Sequence, residues 1–320
     1  MKKFGAFVLC CAALSVAAGC SDDSTSTPTD AGTVVTDTGG GGDAGGGADA
    51  GASMCYREDG TAALCPMSAR QASMTSLGYR LQYINITAPS ALANQVLLNI
   101  VNQTFQAGTF LWGLSIDTQA NTFRTGALNL GSVTRGTVGR GLLDGTFRFF
   151  SNNAPNMMGN RYDPIAGSVT VMGDRAATAM STTVVNIPIF SDDTATNVLT
   201  VLPLSNLRLS QIQLTSDRRC IGVGRLVSGR FDECRSPWST TDTAMMPYAQ
   251  IDADITVADA RNVEIAPLNT TLFRYITGLT DNMADPMTAA EGRRPDSMVG
   301  GMPAFHLVAS FAAVAANIAP

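Results

Sequence analysis

The chain has 320 residues, 45% hydrophobic and 15% charged, with a formal net charge of −5 at pH 7. Two lysines and six aspartates in the first 53 residues together carry −4, which leaves −1 for residues 54–320. A near-neutral domain has no electrostatic footprint for nucleic acid and no polybasic patch for anionic lipid, so both are excluded as partners on charge.

The N-terminus reads MKKFGAFVLCCAALSVAAGC. Lys2 and Lys3 form a basic n-region, and Phe4 to Ala18 is an uncharged apolar run. Such a run is too short to span a bilayer but suits a secretory h-region. Ala17, Ala18 and Gly19 then lead into Cys20. This ending resembles a bacterial lipobox, departing from it at Ala17, where leucine is usual. The resemblance implies a signal peptide over 1–19 and acylation of the Cys20 thiol, as by palmitate. It also implies anchorage to a membrane of the cell envelope. Ser21, rather than Asp, follows Cys20, which by the same resemblance directs the protein to the outer membrane.

Residues 20–53 carry six aspartates, no Lys or Arg, and only Val34 and Val35 as bulky aliphatics. That composition cannot bury enough apolar surface to offset its ordering entropy, so a disordered tether is expected. Its root-mean-square reach is roughly 30 Å and its stretched limit about 110 Å. The combination resembles outer-membrane lipoproteins of myxobacterial-type Gram-negative bacteria, and that resemblance carries no activity. Beyond the signal and Cys20, four cysteines remain: Cys55, Cys65, Cys220 and Cys234. An even set in an exported chain reads as disulfides, with three pairings open. The local pairing, Cys55–Cys65 and Cys220–Cys234, is the simplest, and loops of that size would contribute about 3 kcal/mol each.

Residues 54–320 are expected to form a single β-rich domain. From Pro89 to Ala107, Leu92, Val96, Leu97, Ile100, Val101 and Phe105 recur at helical spacing, with Gly108 as a stop. Phe110, Trp112, Leu114 and Ile116 then share one face of a strand. Asp144-Gly145 reads as a tight hairpin turn. Val198 to Leu214 is a β run in which apolar parity slips between Leu209 and Ile212, predicting a bulge or turn near Ser210-Gln211. A second amphipathic helix is predicted over Pro267 to Thr277, with Leu268, Leu272, Tyr275 and Ile276 on one side. Phe305, Leu307, Ala309 and Phe311 alternate in a closing strand. The pattern predicts a mainly β fold, an antiparallel sandwich or jelly-roll type, with two amphipathic helices (89–107 and 267–277).

Catalytic signatures are sparse. His306 is the sole histidine, and no Gly-x-Ser-x-Gly elbow or phosphate loop accompanies it. No cofactor motif is present, and no catalytic residue is assigned. Asp252 and Asp254 lie two apart on one strand face, with Asp259 following in the next turn. Paired carboxylates are what a calcium site or glycoside hydrolysis needs. Trp238, in a polar loop after Cys234, is a candidate for stacking on a sugar ring or a partner. The expected function is non-catalytic: an envelope binding or structural module, with an envelope protein or glycan as partner. The alternatives are a carboxylate-dependent glycan hydrolase and a carrier of apolar ligands. An apolar space beneath the 89–107 helix would favour the carrier, and a deep acidic cleft the hydrolase.

Overall fold

The computed structural model describes residues 54–56, 62–64, 75–129, 147–150, 161–191, 197–215, 218, 220–227, 230–235 and 249–319. For 54–56, 62–64, 106, 223–227 and 230–235 it describes the backbone alone. All of these fall in one compact unit, Ala48–Pro320. The signal, the tether, the Asp144-Gly145 turn and Trp238 lie outside the described residues.

Ten strands form the linear path of a 14-stranded main sheet. They are β1 (Ser76–Ala88), β2 (Trp112–Asp117), β3 (Thr122–Asn129), β4 (Ile165–Met172) and β5 (Arg175–Thr178), then β6 (Val185–Phe190), β7 (Val198–Ser210), β8 (Ile212–Gln213), β9 (Gln250–Thr256) and β10 (Met302–Ala315). Their order is β8-β5-β4-β3-β2-β1-β10-β9-β7-β6, antiparallel at every step. The fold is therefore mainly β, an antiparallel sheet curled into a half-barrel with few helices, in keeping with the expected sandwich-like class.

One slip in the sequence explains the curl. Gln211 adopts φ 51, a left-handed conformation that side chains seldom take. It separates β7, which pairs with β9 and β6, from β8, which pairs with β5. A single chain segment thus supplies one end of the strand order and the strand next to its other end, and the sheet is drawn around its own concave face. That face holds the main core. Leu77, Tyr79 and Leu81 of β1 meet Trp112, Leu114 and Ile116 of β2, Leu207 and Leu209 of β7, and Phe311 of β10. The predicted alternation over 110–116 and 305–311 is what places these residues inside.

The first helix is shorter than the apolar stripe suggested. α1 spans Gln95–Ala107, preceded by a 3-10 turn over Ser90–Leu92. The sequence signal for this start is Asn94, whose Oδ1 accepts a hydrogen bond from the Val96 N–H at 2.8 Å. Gly108 ends the helix in the left-handed region, at φ 74. The stripe is also rotated. Val96 is 58% exposed, whereas Leu98, which the pattern left out, is buried with Leu97 and Phe105.

The second predicted helix divides in two. A 3-10 turn covers Ala266–Leu268. The helix proper, α3, spans Leu272–Thr277 and is capped by Thr271, whose hydroxyl accepts from the Arg274 N–H. Between β9 and that turn lies a helix the pattern missed, α2 (Val257–Ala260). Leu92 and Leu97, α2, α3 and the ends of β9 and β10 form a second apolar cluster that includes Val257, Leu272, Phe273, Ile276 and Phe305.

Candidate functional site

The free edge of β1 positions α1. β2 pairs with β1 only as far as Arg80. Beyond that point the helix takes over through one side chain. Asn102 Oδ1 accepts from the Ile84 N–H at 2.9 Å, and Asn102 Nδ2 donates to the Ile84 carbonyl at 3.0 Å. A buried carboxamide thus stands in for the missing strand, satisfying both main-chain groups of one residue. Leu97, Leu98, Asn102 and Phe105 are the buried positions of α1, the last three at helical spacing.

Rotating the helix this way leaves a second face, Leu97, Ile100, Val101 and Thr104, over open space. Between that face and the sheet lies a cavity of about 190 Å³. It sits at the seam of the two apolar clusters. Ile84, Phe110, Trp112, Leu204, Ile251 and Ala253 belong to the main core, and Leu92, Leu97, Val263 and Leu272 to the helical cluster. The space exists partly because β9 and β10 present alanines here. Ala253 and Ala309 are both buried and both line the wall. Trp112 is fixed in that wall, its indole N–H donating to Thr125 Oγ1 at 2.8 Å. That hydroxyl passes its own proton to the Gly113 carbonyl at 2.7 Å.

The walls expose almost no polar surface. Among the described lining residues Thr104, Thr200 and Glu264 are polar, and of these Glu264 alone is charged. The deep residues Phe110, Trp112, Leu204, Ile251 and Ala253 are buried, whereas Leu199, Glu264, Ala266 and Pro267 are exposed. The latter four mark the mouth.

A polar constellation forms on the other face of the sheet. Asp252 and Asp254 share a face as predicted, opposite the buried Ile251, Ala253 and Ile255. The register of β9 against β10 sets Asp254 beside His306. His306 Nδ1 lies 3.2 Å from Asp254 Oδ1, and Nε2 lies 3.9 Å from Asp252 Oδ1. Asn206, at φ 52 in the β7 irregularity, donates from Nδ2 to Asp254 Oδ2 at 2.7 Å. Gln250 Nε2 donates to Asp252 Oδ1 at 3.0 Å. The sequence paired Asp252 with Asp254 and left His306 apart from them. Their meeting depends on strand register, for which it held no local signal.

Asp259 does not join them. Its carboxylate accepts from Thr256 Oγ1 at 2.6 Å and its N–H donates to the same hydroxyl at 3.0 Å, closing the first turn of α2. Asp281 and Asp285, in another acidic loop, are likewise engaged. Asp281 Oδ1 accepts from Thr271 Oγ1, and Asp285 Oδ1 from the Met287 N–H. Among the described residues no group of three or more His, Cys, Asp or Glu side chains is placed to hold a metal ion. Of the four paired-cysteine candidates, Cys220 alone has a described side chain, and it is buried beside Ala312 and Val314.

Arg80 is the remaining anomaly. It is wholly buried, and Nη1 donates to the Phe105 carbonyl near the end of α1 at 3.4 Å. Nε and Nη2 find no hydrogen-bond partner among the described residues. Burial pushes its guanidinium down to about 10, well below its ordinary value. It does not line the cavity.

No family model, curated protein or solved structure matches this chain.

Proposed function

We propose that this protein is a lipid-anchored envelope protein whose β-domain binds an apolar ligand in the cavity beneath α1. The reading joins the expected non-catalytic binding module to the apolar carrier. The single observation that supports it is an apolar-walled space at the helix–sheet seam, opening between Leu199 and Pro267. A cavity of about 150 Å³ lined by Leu, Ile and Phe stays dry and takes up benzene. A space of about 190 Å³ therefore suits one short alkyl segment or a single small ring, with any polar end left at the mouth. Binding would gain roughly 25 cal/mol per Å² of apolar surface removed from water, less the cost of immobilising the ligand.

Ala253→Leu tests this reading. If the space is open, the added methylenes fill it, and stability should rise by about 0.5–2 kcal/mol. The same variant should abolish binding of octanol, measured by calorimetry on the chain from residue 20 onward carrying Cys20→Ser. A loss of about 1–3 kcal/mol, the signature of overpacking, would contradict an open cavity.

The anchor is part of the same proposal. Cys20 is the acylated first residue, residues 20–53 are the tether, and the outer membrane is the location. Cys55–Cys65 and Cys220–Cys234 are the disulfides, formed in an oxidising compartment. Among the described residues no helix is long and apolar enough to cross a membrane. Intact-mass and non-reducing peptide analysis of membrane-extracted protein should show a chain beginning at acylated Cys20 with both local disulfides. An unacylated N-terminus would remove the anchor, and a Cys55–Cys220 link would remove the local pairing.

A further inference from the structure

We infer that Glu264 selects the head of the ligand, so that the cavity takes single-chain amphiphiles with a cationic or neutral head and rejects anionic ones. This inference rests on the proposed binding of an apolar ligand. Among the described residues Glu264 is the sole charged one lining the cavity, and it is exposed at the mouth. Its backbone is held on two sides. The Glu264 N–H donates to Thr200 Oγ1 at 3.1 Å, and Glu264–Ile265 pairs with Thr270–Thr271 as a short hairpin. Thr271, opposite Glu264 in that pairing, donates its hydroxyl proton to Asp281 Oδ1, bringing a second carboxylate to the same hairpin.

Among the described residues no Lys, Arg or His lines the cavity. Arg261 is engaged elsewhere, with its guanidinium over the Phe273 ring and Nη2 donating to the Met283 carbonyl. An alkyl chain seated against Trp112 and Ala253 leaves its head among Leu199, Glu264, Ala266 and Pro267. An ammonium there meets a carboxylate at short range. A carboxylate there meets like charge and finds no cation among the lining residues. A hydroxyl head is indifferent to the sign.

The test is calorimetric titration of the Cys20→Ser chain with octylammonium, octanol and octanoate, and again in Glu264→Gln. Two exposed-charge effects of opposite sign should separate octylammonium from octanoate by about tenfold, with octanol between them. In Glu264→Gln the three should fall within about twofold. Equal affinities on the wild-type side chain, or a gap that survives Glu264→Gln, would overturn the head selection and leave the cavity reading standing. Binding of none of the three would overturn both.

Discussion

Asn102→Leu should cost about 2–5 kcal/mol, because it strips partners from a donor and an acceptor at once. The Ile84 N–H and carbonyl are buried against α1, and Asn102 bonds both. Leucine keeps the number and branching of the side-chain heavy atoms and suits a helix, so the backbone of α1 has no reason to change. The loss is that of two main-chain groups left unsatisfied, each costing about 1–3 kcal/mol. Against a total stability on the order of 5–15 kcal/mol, that is a large fraction. Chemical denaturation should show the fall in midpoint. Val96→Ala, on the exposed side of the same helix, should stay within about 0.5 kcal/mol of wild type. If Asn102→Leu were equally silent, α1 would not be clasped to β1 and the cavity would have no fixed roof.

Arg80→Met should have the opposite effect, raising stability by about 1–4 kcal/mol. The folded chain holds this guanidinium near pKa 10, well below its ordinary value in the unfolded chain. That difference corresponds to about 3 kcal/mol at neutral pH, acting against the charged form in the fold. The unfolded state binds the proton more tightly, so the penalty is fully present below pH 10. It is relieved as pH rises above about 10. Methionine removes the charge, keeps the apolar stem, and leaves the Phe105 carbonyl its hydrogen bond from the Gly108 N–H. Thermal unfolding at pH 7 should shift upward by several degrees. A downward shift would mean that Arg80 holds the end of α1 by more than its one long hydrogen bond.

Local pattern carried the parts of the fold that depend on neighbours in the chain. Alternation placed Trp112, Leu114, Ile116, Phe305 and Phe311 inside. The parity slip at Ser210-Gln211 marked the point where one segment passes from the β9 side of the sheet to β5. The rotation of α1 was not legible, since Val96 and Leu98 are equally apolar. What decides between them is Asn102 seeking Ile84, a partner outside the helix. The pairing of Asp254 with His306, 52 positions apart, depends on register between two strands that each look ordinary alone. The cavity was named only as an alternative. It arises partly from two alanines, Ala253 and Ala309, brought together by the register of two strands, which neither strand's own pattern carries.

The most direct measurement uses Trp112 as a reporter in the cavity wall. The chain has two tryptophans, and Trp238→Phe leaves Trp112 as the sole emitter. A terminally brominated octanol quenches indole fluorescence by contact. Titrated into the Cys20→Ser, Trp238→Phe chain, it should quench Trp112 saturably, and Ala253→Leu should abolish the effect. Trp112 emission that stays unchanged, or quenching that rises linearly and survives Ala253→Leu, would contradict ligand binding beneath α1.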